Sequence, residues 1–395
     1  MIFLQILAFL AVTAAPQNNN SIPHETPAIR SYFYVGGNYI SDNNGGHIFA
    51  NQMYVEKLSP INNPGTIYYK NINNDTTTPV PVILIHGQAQ TGTNFLNKPD
   101  GNRGWASQFL EAGHTVYILD QTARGRSAVT PGTTTQLSTY SAEYIESRFT
   151  APQRSNLWPQ AKLYTQWPGA GIMGDAIFDA FYASNVPFIA NATAQQTAVQ
   201  AAGAALLDRI GRPVWLVGHS QGGLMAPLIA DARPQAVKGL VLLEPTGPPF
   251  RDAVFGDKAA RKWGVADVPV AYGPRVVNPG VELVREEVVL EEEGAKGGNG
   301  NGNKTVRCLL QARSPPPRQL VNLKVLKMLV VTSESGYHAV YDQCTVAFLR
   351  QAGVVGVEHL RLEDVGMRGN GHFMFLEKNS KEIWEWVSGW MEKNS

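Results

Sequence analysis

Short, almost wholly apolar runs recur along the chain, each followed by a segment in which apolar residues fall at helical spacing. Residues 80–85 (VPVILI), 115–119 (TVYIL), 213–217 (PVWLV), 237–243 (VKGLVLL), 324–332 and 358–362 read as strands. Their lack of polar alternation marks strands buried on both faces, as in a parallel sheet. Helical spacing occupies 105–112, 192–210, 223–232, 339–352 and 381–391, with Gly113 closing the first and Arg233-Pro234 the third. Segments 32–35 and 47–55 open the chain as further strands. Alternation of this kind predicts an α/β fold, a mostly parallel sheet with helices on both faces.

Two stretches break the alternation, about 128–195 and 246–318, and both are expected to build a cap. The first carries Trp158, Tyr164, Trp167, Phe178, Phe181 and Tyr182, aromatic residues suited to an apolar pocket. The second carries an acidic run at 286–293 and the tract GAKGGNGNGN at 294–303, expected as a mobile surface loop.

Charge removes several classes of partner. Lys and Arg total 33 against 32 Asp and Glu, a formal charge of +1, which gives nucleic acid or an anionic membrane no electrostatic purchase. Residues 1–15 (MIFLQILAFLAVTAA) form an apolar run too short for a stable membrane anchor and read as a secretory signal peptide. Residues 16–395 then form a single exported domain. Sequons at Asn19, Asn74, Asn191 and Asn303 fit passage through a glycosylating route. In that oxidising compartment Cys308 and Cys344, the whole cysteine inventory, read as one disulfide and not as a metal site.

Candidate chemistry centres on Gly218-His219-Ser220-Gln221-Gly222, which leaves strand 213–217 and enters helix 223–232 directly. A serine presented on so sharp a turn needs glycine at the flanking positions, where side chains would meet neighbouring backbone. Its hydroxyl is a weak nucleophile until an imidazole takes the proton and a carboxylate orients the imidazole. His372, in the glycine-rich loop after the last strand, stands where the base belongs in this chain order. His219 adjoins the nucleophile and reads as support, His86 as structural, and His338 as a rival that would face substrate. Glu244, Glu334 and Asp364 all satisfy the order serine, acid, histidine. Backbone N–H groups of Gln221 and Gln88 are the expected oxyanion donors.

Two glycine patterns imitate nucleotide sites. Residues 169–174 fit GxGxxG but follow Trp167-Pro168 instead of a strand, and 298–305 lacks the glycine that a phosphate loop needs before its lysine.

With these segments placed, the chain resembles the α/β-hydrolase superfamily over essentially its whole mature length. HGQAQ from His86 resembles the oxyanion loop, DQTARGRS from Asp120 the loop after the fourth strand, GHSQGG the elbow and GNGH the base loop. More narrowly it is similar to the bacterial esterase 713 branch, through LLEPTGPP at 242–249, DQTARGRS and GNGHFMF. In that branch the acid follows the sixth strand. The resemblance therefore implies Glu244 as the acid, while Glu334 occupies the place more usual in the superfamily. It further implies a serine hydrolase that cleaves a small-molecule carboxylic ester or lactone through an acyl-enzyme, with no metal or organic cofactor. The same triad would serve acyl transfer or lactone closure, and a noncatalytic binding protein would retain the scaffold alone.

Overall fold

A computed structural model describes residues 25–42, 44–61, 79–130, 136–291 and 305–395. The leader, Asn19, Asn74, Asn303 and the tract 294–303 lie outside these residues. The central sheet has eight strands: β1 (Ala28–Ser41), β2 (His47–Pro60), β3 (Val82–Ile85), β4 (Val116–Asp120), β5 (Val214–His219), β6 (Val237–Leu243), β7 (Lys327–Thr332) and β8 (Val357–Arg361). Their spatial order is β1-β2-β4-β3-β5-β6-β7-β8. β1 and β2 are antiparallel, as are β2 and β4, and every pairing from β4 through β8 is parallel.

The apolar runs are explained by two cores. Ile83, Ile85, Leu216, Leu240, Leu242, Met328 and Val330 point to one, while Val82, Leu84, Trp215, Val217, Val241, Leu243, Leu329 and Val331 point to the other. Side chains alternate between faces of a strand, so a strand covered on both sides is apolar at every position. The first face is covered by α3 (Ala192–Ile210), α4 (Gln221–Ala232) and α5 (Asp342–Gln351). The second is covered by α1 (Trp105–Glu111), α2 (Ala176–Ala183) and α6 (Ser380–Lys393). Register sets the site: Ile85 pairs with Gly218, His219 with Leu243, and Leu243 with Val331. The residues that follow β3, β5, β6 and β7 therefore emerge together along one edge.

Some boundaries differ from expectation. The opening strands are much longer than 32–35 and 47–55, because their pairing persists through polar positions on an exposed edge. Part of the second long insertion is ordered as an antiparallel hairpin, Arg285–Glu291 against Thr305–Gln311, with Val288 opposite Cys308. The acidic run thus supplies strand residues whose alternate side chains turn outward. Cys308 is bonded to Cys344, their Cα atoms 5.2 Å apart, tying that hairpin to α5. Asn191 is exposed and caps α3, its Oδ1 accepting from the Ala194 N–H at 3.0 Å. GxGxxG at 169–174 forms a turn that leads into α2, not a strand-to-helix phosphate loop.

Candidate active site

β5 ends at His219, and Ser220 turns the chain with φ 53° and ψ −117° before α4 begins. That left-handed φ is costly for a side chain and persists only under tight constraint. Here the Ser220 N–H donates to Leu243 O at 2.9 Å, and its carbonyl accepts from Gly223 and Leu224 of α4 and from Thr246. A Cβ on Gly218 would lie 2.3 Å from Gly222 O, and one on Gly222 would lie 2.1 Å from Ile85 O. Both positions admit only glycine, as the pentapeptide predicts.

His372 sits between β8 and α6 with its Nδ1 2.7 Å from Glu244 Oε2. Glu244 leaves β6 with φ 42°, pinned by its own N–H to Val331 O at 2.9 Å. Its Oε1 accepts from the Ser333 N–H at 3.0 Å and from the Ser333 hydroxyl, so a fully buried carboxylate has every oxygen engaged. Burial pushes the His372 pKa well below the ordinary imidazole value, and the neighbouring His338 lowers it further. The imidazole is therefore neutral, with Nδ1 on Glu244 and Nε2 left to receive a proton. Ser220 and His372 line the same cavity, of about 340 Å³.

Glu334 lies apart from this pair. Its carboxylate accepts from Arg368 Nη1 at 2.6 Å and Gly369 N–H at 2.8 Å, and it lines a separate polar cavity of about 230 Å³. Asp364 is 3.9 Å from Arg361 at the surface. Of the three carboxylates considered, only Glu244 touches His372.

His338, the rival for the base, does not line the cavity that holds Ser220 and His372. It is fully buried, stacked 5.0 Å from the His372 ring, and bonded to Asp342 Oδ1 at 3.0 Å and the Tyr341 hydroxyl at 3.2 Å. Glu244, His338 and His372 bring possible metal-ligand atoms within 4.8 Å of one another, but His372 Nδ1 is engaged by Glu244 and both His338 nitrogens are engaged as well. Such a trio is a set of hydrogen-bonded pairs, not an open donor set.

His219 supports the base loop: its Nε2 lies 2.8 Å from the His372 carbonyl, which can only accept, so Nε2 carries the proton. Of the two roles open to the cap aromatics, lining a pocket or packing, the structure shows packing: Trp158, Tyr164, Trp167, Phe178, Phe181 and Tyr182 are absent from the cavity of Ser220 and His372, whose Phe and Tyr rings are Tyr140, Tyr144, Phe149, Phe255, Tyr337, Tyr341 and Phe373. Tyr164, Trp167, Phe178 and Phe181 instead fill the core under α1 and α6, where large rings lose most contact with water.

Glu377 was not anticipated. It is fully buried and accepts from the Gly371 N–H at 2.9 Å and from Asn370 Nδ2 at 2.7 Å, bracing the histidine loop. Burial pushes its pKa up to about 7. A lone acid closing the apolar run HFMFLE was the available signal.

His86 follows β3. The Gln121 N–H donates to its Nε2 at 2.9 Å, so the proton is on Nδ1 and is given to Gly87 O at 2.8 Å. Burial lowers the His86 pKa to about 4, keeping it neutral. Gly87 and Gln88 line the cavity beside Ser220, and Gln221 opens α4, where helix N–H groups lack intrahelical partners.

Sheet order, a serine on a strand-to-helix turn and a carboxylate–imidazole pair from the following loops together define the α/β-hydrolase class. The chain belongs to the alpha/beta hydrolase family, whose model matches residues 82–386. It is 41% identical over 394 residues, 98% of each chain, to the "Probable secreted lipase phiG" of a fungal species (strain ATCC 74256). Secretion, expected from the leader, agrees with that relative, and the chain is a secreted protein. Among solved structures it is similar in fold to a novel bacterial esterase, with 18% identity and a TM-score of 0.58 over 94% of this chain and 97% of that one. Among the described residues no helix is long and apolar enough to cross a membrane.

Proposed function

We propose that this hydrolase cleaves small-molecule carboxylic esters, lactones included, by the serine mechanism. Ser220 Oγ attacks the carbonyl carbon while its proton passes to His372 Nε2, and Glu244 holds the imidazolium that forms. The proton then goes to the departing alkoxide, leaving an acyl-serine. Water attacks that ester in turn, losing its proton to His372, which returns it to Ser220. The N–H groups of Gln88 and Gln221 receive the negative oxygen of each tetrahedral intermediate. Segments of about 128–195 and 246–318 act as the cap, and Asn191 carries a glycan through Nδ2 while Oδ1 keeps its helix-capping bond.

The observation that carries the reading is the 2.7 Å contact between His372 and Glu244 behind a serine held at φ 53°. The relative's name, a lipase, supports an ester as the bond cleaved. Glu244 after β6 is also what the esterase 713 resemblance implies.

Fluorophosphonate labelling with peptide mapping, beside a p-nitrophenyl ester assay, tests it. Label at Ser220 is expected, with Ser220→Ala and Glu244→Gln each losing about a thousandfold or more in kcat and Glu334→Gln staying near wild type. Loss in Glu334→Gln with Glu244→Gln unaffected would move the acid to β7. Transfer products outweighing hydrolysis in water would make the enzyme an acyltransferase, and an unlabelled, inactive, folded wild type would return it to a binding role.

A further inference from the structure

Arg124 lies on the tight turn after β4 and is 1% exposed. None of the ion pairs among the described residues includes it, and its Nε has no hydrogen-bond partner there. Its two terminal nitrogens are both used: Nη1 donates to Gly87 O at 3.0 Å and Nη2 to Gln221 Oε1 at 2.8 Å. A buried guanidinium without a carboxylate is expensive, so its retention calls for a return elsewhere. Both acceptors belong to, or adjoin, the residues whose backbone N–H groups face a tetrahedral oxygen.

We infer that Arg124 is a positioning residue for the oxyanion hole, fixing both of its backbone donors at once; this rests on the serine-hydrolase reading of Ser220. The Gly87–Gln88 peptide is trans, so the Gln88 N–H points opposite to the Gly87 carbonyl. That carbonyl is held by two donors, Arg124 Nη1 and His86 Nδ1. The Gln88 N–H is thereby aimed away from Arg124, and Gly87 and Gln88 line the same cavity as Ser220. A Cβ added to Gly87 would lie 3.2 Å from Ser220 Cβ, which shows how near this peptide runs to the nucleophile. Flipping the peptide would cost two hydrogen bonds, one of them charge-assisted.

On the other side, Arg124 holds the Gln221 side chain away from the cavity and ties the N-terminus of α4 to the loop after β3. One planar group thus sets the spacing between donors that come from different loops. Its charge, unneutralised in a dry setting, favours the negative tetrahedral oxygen over the neutral ester carbonyl, an effect confined to the transition state. The neutral His86 supplies a bond to the same carbonyl but no charge.

Arg124→Met, with Arg124→Lys beside it, tests this in the full-length protein by kcat and KM on a p-nitrophenyl ester, inhibition by a trifluoromethyl ketone, and fluorophosphonate labelling. Expected are a fall of about a hundredfold or more in kcat, KM within about threefold, and ketone affinity falling in step with kcat. Labelling slows yet still reaches completion at Ser220. Should Arg124→Met not fold, Gln221→Ala removes one acceptor while keeping its backbone N–H, and a fall of about tenfold in kcat with unchanged KM is expected on the same logic. A kcat within about threefold of wild type in the variant that folds, or a loss carried by KM alone with ketone affinity intact, overturns the role. If wild type itself is not labelled at Ser220, the serine reading fails first, whatever the arginine variants do.

Discussion

Glu377 illustrates how one buried side chain can couple the site to pH. Burial raises its pKa from 4.5 to about 7, so the fold favours the neutral acid over the carboxylate. The stability this contributes is fully present below pH 4.5, the unfolded value, and is lost as pH rises through about 7. Integrated over that window the loss is about 3 kcal/mol. Glu377→Gln cannot ionise, so urea titrations across the window should show its stability flatter with pH than wild type. Parallel profiles would mean that Glu377 is ionised throughout. Ser220, His219 and Gln221 were legible because one pentapeptide carries them, and His372 because its loop follows the last strand. Ser333 and Arg124 were not, because each acts on a partner that reaches it through the fold, as Arg124 reaches Gln221 across 97 positions of sequence. Glu377, whose partners Gly371 and Asn370 stand six and seven residues away, left only the mark of a lone acid after an apolar run.

At the scale of elements, β5 and α4 were readable because burial on both faces leaves an unbroken apolar run and the elbow glycines punctuate it. The hairpin from Arg285 was not, since REEVVLE groups its charged and apolar residues in blocks and lacks the polar–apolar alternation that marks a half-exposed strand. Its anchoring is covalent, through Cys308 and Cys344 across 36 residues. Closing a loop of that length is worth about 2–4 kcal/mol. Cys344→Ala should accordingly lower stability by that order in denaturant titration while the folded fraction keeps its kcat, because neither cysteine lines the cavity. An unchanged midpoint would show that hairpin and α5 hold together by packing alone.

At the scale of the whole molecule, the cavity is assembled from three separate sources: the strand ends, residues 140–185 and residues 246–261. Its volume of about 340 Å³ is at the small end for ligand pockets. Tyrosine, Arg261 and Asp252 line it along with the phenylalanines, so it suits a compact, partly polar ester. p-Nitrophenyl butanoate should therefore be turned over with higher kcat/KM than p-nitrophenyl hexadecanoate, and the reverse order would show that the cavity opens to admit long chains. The sequence by itself determined the core strands of the sheet, the strand-to-helix turn at Ser220, a loop histidine after the last strand and a short list of candidate carboxylates, because periodicity and local turn chemistry depend on neighbours in the chain. Only the tertiary structure put Glu244, and neither Glu334 nor Asp364, against His372, lined the cavity with aromatics other than those of the cap run, and brought Arg124 between Gly87 and Gln221. Those outcomes depend on strand register and on which buried polar groups find partners, and both are settled by contacts between segments that the linear order keeps far apart.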